Sequence, residues 1–161
     1  MKGNEIIVTP NPGGKFLEGI IDGTPRPGIP MQIQAGTALV NGRATFERYT
    51  KGTDGQAGPV FILLPDALQG RIYSDAYVDA DRCFLYAPLV GEEMNIRVAD
   101  NETVIVGDEL LVKNSNSQYI VSTGTGSAYL GEASTPFQAL ETKTIDAANG
   151  DLVHAIFLGT F

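Results

Sequence analysis

The chain has 161 residues, 43% of them hydrophobic and 8% aromatic, with 19 glycines, no tryptophan and a formal charge of −8. That length suits one domain that buries roughly 70% of the surface its unfolded chain exposes, which excludes intrinsic disorder and a disulfide-stapled miniprotein. The acidic balance argues against nucleic acid as a partner, since phosphates need a basic face, and no run approaches the roughly 20 apolar residues of a membrane-spanning helix.

The charge is uneven. Residues 1–51 hold six Lys/Arg against four acids, whereas the rest of the chain carries five against fifteen. The start, MKGNEIIVTPNPGG, has only a three-residue apolar run, short of a signal-peptide core, so a soluble protein made in a reducing cytoplasm is expected. Residues 1–30 contain five of the nine prolines and six glycines. Proline removes a backbone donor and glycine raises the ordering cost, so this stretch is expected as an extended N-terminal arm and not as a helix or a central strand. Its apolar residues (Ile6, Ile7, Val8; Phe16, Leu17, Ile20, Ile21) must lie on something, either the chain's own sheet or the surface of a partner.

From Met31 the pattern is that of strands. Met31 to Gln34 and Ala44 to Tyr49 flank Asn41-Gly42, a two-residue hairpin signal because both residues accept positive φ. Residues 50–58 are polar and glycine-rich and read as a surface loop. Pro59 to Pro65 (PVFILLP) is a continuous apolar run of strand length, buried on both faces, and Asp66 to Gly70 has the cap and stop of a single helical turn. Cys83, the only cysteine, sits in RCFLY as a small buried apolar residue with no histidine nearby to activate it. Glu92 to Ala99 alternates, with Met94, Ile96 and Val98 on one face and Glu93, Asn95 and Arg97 on the other, predicting a half-buried strand. Residues 103–132 read as a β-meander cut at Gly107-Asp108, 114–117 and 124–126, with Val104 and Val106 on one face. The closing run Asp151 to Phe161 is expected to be tied into a sheet. No helix longer than two turns is expected.

No catalytic template fits. Asp75, Asp79 and Asp81 lack EF-hand spacing, the single histidine, His154, has no serine elbow to serve, and Gly124-Thr125-Gly126 is not followed by the lysine of a phosphate loop. Neither an enzyme nor a cofactor or metal protein is expected, but a binding or structural part.

The succession of short motifs carries a resemblance. Arg26-Pro27-Gly28 precedes the strand at Met31; Phe61 to Leu64 leads to the Ala67 to Gly70 turn; Tyr77 lies in a small polar loop. Val90-Gly91-Glu92-Glu93, then Val104 to Leu110 (VIVGDEL), Leu130-Gly131-Glu132-Ala133 and the strand Val153 to Leu158 follow. Over about residues 26–160 the chain is similar to the head decoration, or capsid cement, proteins of tailed bacteriophages, from which its Pro-rich start and the 50–58 loop depart. The resemblance implies an all-β fold: a small antiparallel β-barrel or β-tulip-like domain (31–161) with an extended Pro/Gly-rich N-terminal arm (1–30). It also implies a homotrimer on the outer capsid surface of the virion that clamps neighbouring subunits of the major capsid protein. Three joined sites can raise avidity by roughly 10²–10⁴. Contacts with the capsid are then expected from the arm and its adjoining loop, at Ile6, Ile7, Val8, Pro10, Pro12, Phe16, Arg26 and Pro27, and truncation of residues 1–15 is expected to leave the body folded. The alternative is a virion surface module that binds a receptor or carbohydrate, with Tyr49, Tyr73, Tyr77 or Tyr86 as an aromatic platform.

Overall fold

The computed structural model describes residues 5–9, 12–49, 61–112, 118–121 and 137–159. Their architecture is all-β, as expected, with one 3₁₀ turn (Ala67–Gln69). In place of one barrel there are two. The first closes from β1 (Lys15–Ile21), β2 (Pro30–Ile33), β3 (Thr45–Arg48), β4 (Phe61–Leu63) and β5 (Arg82–Ala87). The second uses β6 (Glu93–Val98), β8 (Glu109–Val112), β9 (Tyr119–Val121), β10 (Phe137–Ala139) and β12 (Asp151–Phe157), while β7 (Thr103–Val104) and β11 (Lys143–Thr144) pair as a separate ribbon.

The two barrels have one topology. In each, the first strand runs parallel to the third, and antiparallel pairs join third to second, second to fourth, fourth to fifth, and fifth back to first. The two first strands, KFLEGII and EMNIRV, share no motif, so the duplication lies in the pairing and not in recurring residues.

Strand periodicity explains how the barrels join. Phe61, Leu63, Cys83 and Leu85 point into the first barrel, where they pack with Ile21, Met31 and Phe46. The alternate residues Ile62 and Tyr86 face the other way and belong to the core of the second barrel, with Met94, Ile96, Tyr119 and Phe137. The apolar run around β4 is therefore buried on both faces, as its composition predicts. Cys83 is fully buried, and burial pushes its thiol pKa up to about 12.

Local chemistry sets several turns. Asn41 (φ 52°) and Gly42 (φ 77°) close a tight hairpin in which Val40 and Arg43 exchange backbone hydrogen bonds. Asp66 caps the 3₁₀ turn by accepting from the Gln69 amide, and Gly70 ends it in the left-handed region.

Three sequence expectations are corrected. Lys15–Ile21 pairs on both sides, with β3 and β5, although it falls in the Pro/Gly-rich stretch. The prolines flank this strand without entering it, and Gly19 is needed there because a Cβ would fall 2.3 Å from the Phe46 ring. Among the described residues of the meander, β8 and β9 make a hairpin, but β7 leaves to pair with β11, and Val106 is exposed while Val104 is buried. The segments 113–117 and 122–132 of that stretch lie outside the described residues, as does the 50–58 loop. Finally β6, predicted as half-buried, buries Asn95 and Arg97 as completely as Met94 and Ile96.

Candidate functional site at the seam between the barrels

The double burial of β6 follows from its partners. One edge pairs along its length with β12. On the other, three alternate amides go to three different segments: Asn95 N–H donates to the Ile6 carbonyl at 2.7 Å, Arg97 N–H to Gly28 at 2.9 Å and Ala99 N–H to Tyr119 at 2.8 Å. β9 reaches β6 only at Val98, so the part of the edge it leaves bare is covered by residues 5–9 and by Gly28. An exposed edge would invite pairing with another chain, and here it is closed by the N-terminal segment itself.

Arg97 reaches from this edge into the seam. Only 3% exposed, its guanidinium donates from Nε to the Pro27 carbonyl at 2.9 Å and through its terminal nitrogens to Gly150 at 3.1 Å and Tyr73 at 2.6 Å. Pro27 and Tyr73 belong to connections of the first barrel, and Gly150 precedes the last strand of the second. Burial first, and then the charge of Arg26, hold its pKa below the usual arginine value, with Asp151 opposing. Gly28 (φ +90°) makes this approach feasible, because a Cβ there would stand 2.7 Å from Leu152 Cδ2 and 3.1 Å from the Arg97 amide nitrogen.

The linker between the barrels has its own anchor. Glu92, 6% exposed, accepts from the amides of Gly13 (2.6 Å), Gly14 (3.2 Å) and Leu89 (2.7 Å) and from the Tyr86 hydroxyl (2.7 Å). Burial by itself would raise its pKa. The donors, with Leu89 and Tyr86 leading, outweigh that and hold it below the usual glutamate value.

The eight residues expected to meet a capsid are scattered by the fold. Ile6 is buried in the core of the second barrel, and Pro27 is buried under Arg97. Ile7, bridged to Met94, is half-buried, as are Val8, Pro12 and Arg26. Pro10 lies outside the described residues. Phe16 is 63% exposed, with its ring 4.9 Å from that of Tyr86. Of the two surfaces open to the N-terminal segment, residues 5–9 lie on the chain's own sheet.

Between the barrels, beside Arg97, opens a cleft of about 400 Å³. Thr24, Arg26, Ile29, Arg48 and Ala76 line it from the first barrel, and Arg97, Gln118, Ala148 and Asn149 from the second. Sequence reasoning missed it. Arg97 was placed on a solvent face, and Arg26 and Arg48 stand 22 positions apart with no motif linking them.

In fold, the chain is similar to the N base of the head fiber gp8.5 of bacteriophage phi29. The superposition has a TM-score of 0.52 and covers 92% of this chain and 98% of that one, at 7% sequence identity. No protein-family model matches the chain, and no curated protein matches it.

The remaining polar candidates have local structural partners. Asp79 accepts from the Gly23 amide, Asp75 from the Ile72 amide, and Asp81 pairs with Arg71 at 3.1 Å. His154 Nε2 lies 2.9 Å from Glu93 on the neighbouring strand. Among the described residues no group of three or more His, Cys, Asp or Glu could hold a metal, and no helix is long and apolar enough to cross a membrane. The aromatic platform required for sugars does not form from the expected tyrosines: Tyr49, Tyr77 and Tyr86 are buried and Tyr73 is half-buried.

Proposed function

We propose that this protein is a non-enzymatic structural component of a tailed-phage virion, held on the outer surface of the head. The supporting observation is the fold shared along nearly the whole chain with the N base of a phage head fiber. The motif succession from Arg26 to Leu158 narrows the reading to a decoration protein that binds the major capsid protein as a homotrimer and stabilises contacts between its subunits. The physics suits that role. Two closed barrels expose few unpaired edges, and Arg97 and Glu92 stiffen their junction, so a trimer of such units would present its contacts without a large ordering cost.

The test is to mix the purified protein with undecorated, expanded phage heads and follow co-sedimentation and the heat resistance of the heads. Binding with a raised head-disruption temperature is expected, and failure to co-sediment overturns the proposal. Sedimentation equilibrium addresses the trimer separately: a monomer at every concentration, free and head-bound, would remove that part.

A further inference from the structure

We infer that the cleft between the barrels is an oxyanion-binding site, taking a carboxylate or phosphate group between Arg26, Arg48 and the buried Arg97. In a molecule of formal charge −8, three of the eleven basic residues converge on one cleft, and none of its described lining residues is acidic. The other described arginines behave differently: Arg43 and Arg82 pair with Glu18, and Arg71 pairs with Asp81. Arg26 and Arg48 have no carboxylate or hydrogen-bond partner among the described residues.

Arg97 deepens the imbalance. Its hydrogen bonds go to backbone carbonyls, which satisfy its donors but carry no full charge, and Asp151, the carboxylate that acts on it, is itself paired with Lys143 at 2.8 Å. A buried guanidinium facing a second arginine costs free energy that a bound anion would recover, because like charges repel more strongly where water is partly excluded. No described residue engages the planar donor forks of Arg26 and Arg48, the geometry that grips carboxylate and phosphate oxygens in pairs. The volume falls within the roughly 300–1,000 Å³ usual for ligand sites, so the cleft has room for more than a bare ion. Two chemical sources fit: an acidic side chain on a partner protein's segment, or a phosphate-bearing small molecule. Both barrels supply lining residues, so occupancy would also clamp the seam.

The experiment uses the whole chain at constant ionic strength, with sodium chloride as the balancing salt. Inorganic phosphate and a tetraglutamate peptide are titrated separately by calorimetry, with the thermal midpoint as a second readout. Saturable binding and a rising midpoint are expected. The double variant Arg26→Gln/Arg48→Gln should lower affinity by about tenfold or more, which is about 1.4 kcal/mol. The charge-matched double variant Arg43→Gln/Arg82→Gln, whose side chains pair with Glu18 and do not line the cleft, should bind like the wild type. Tighter binding of the peptide assigns the site to a partner's acidic segment, and tighter binding of phosphate assigns it to a small phosphate-bearing ligand. No saturable binding of either probe at millimolar concentration, or binding unchanged in the Arg26→Gln/Arg48→Gln protein, overturns the inference. The titrations use no phage heads, so their outcome is independent of the capsid reading.

Discussion

Arg97 Nε donates to the carbonyl of Pro27 across 70 residues of sequence, joining the first strand of one barrel to a connection of the other. Arg97→Ala would leave the carbonyls of Pro27, Tyr73 and Gly150 without this donor in a buried seam. A loss of about 2–5 kcal/mol is expected, with Arg97→Lys intermediate because an ammonium cannot reproduce the planar fork. Urea denaturation checks both, and a loss below 1 kcal/mol for the alanine variant would show that the seam does not depend on this side chain.

Gly28→Ala tests the same junction from the opposite side. The added methyl meets Leu152 and the Arg97 backbone, and φ of +90° strains any L side chain. Destabilisation of about 1–3 kcal/mol is expected. Gly36→Ala makes the control: its φ is also positive, but open space surrounds it, so it should cost less.

Glu92 makes stability depend on acid. A carboxyl whose folded pKa lies below its unfolded value contributes stability in full above the unfolded value, near 4.5, and loses it as pH falls through the folded one. Glu92→Gln should therefore be clearly less stable than wild type at pH 7, with the gap narrowing below about pH 4.5 as the native carboxyl protonates. Denaturation midpoints at pH 7 and pH 3 decide it, and a gap equal at both values would refute the assignment.

Ile6 changes what truncation should do. The sequence led to the expectation that residues 1–15 can be removed from a folded body, but Ile6 is buried in the core of the second barrel and its carbonyl accepts from Asn95. Ile6→Ala should cost about 2–5 kcal/mol, and removal of residues 1–9 should expose the edge of β6 and promote association. Thermal unfolding and light scattering measure the two effects. A truncated protein as stable and monodisperse as the full chain would restore the idea of a free arm.

For capsid binding, Phe16 is, among the described residues expected to make contact, the one with most of its surface available. Phe16→Ser should weaken co-sedimentation with heads by more than it lowers the unfolding midpoint, whereas variants at buried Ile6 or Pro27 should move stability first.

Much of the local structure was legible because it depends on near neighbours. The Asn41-Gly42 hairpin, the Asp66 to Gly70 turn, the buried Cys83 and the doubly buried run at β4 all follow from backbone preference or from alternation over a few residues. The candidate site was not legible in that way. Alternation placed Arg97 and Asn95 opposite Met94 and Ile96 and therefore on a solvent face, a sound inference for a strand covered on one side only.

By itself, then, the sequence determined the all-β class and the principal turns, since these reflect local dihedral preference and period-two patterning. Only the tertiary structure decided that two barrels of one topology close, that β6 is shared among residues 5–9, Gly28 and β9, and that Arg26, Arg48 and Arg97 meet at a single cleft. The physical reason is that strand pairing and barrel closure are set by contacts between distant segments, and a residue's alternate face is polar or buried according to what those segments bring against it.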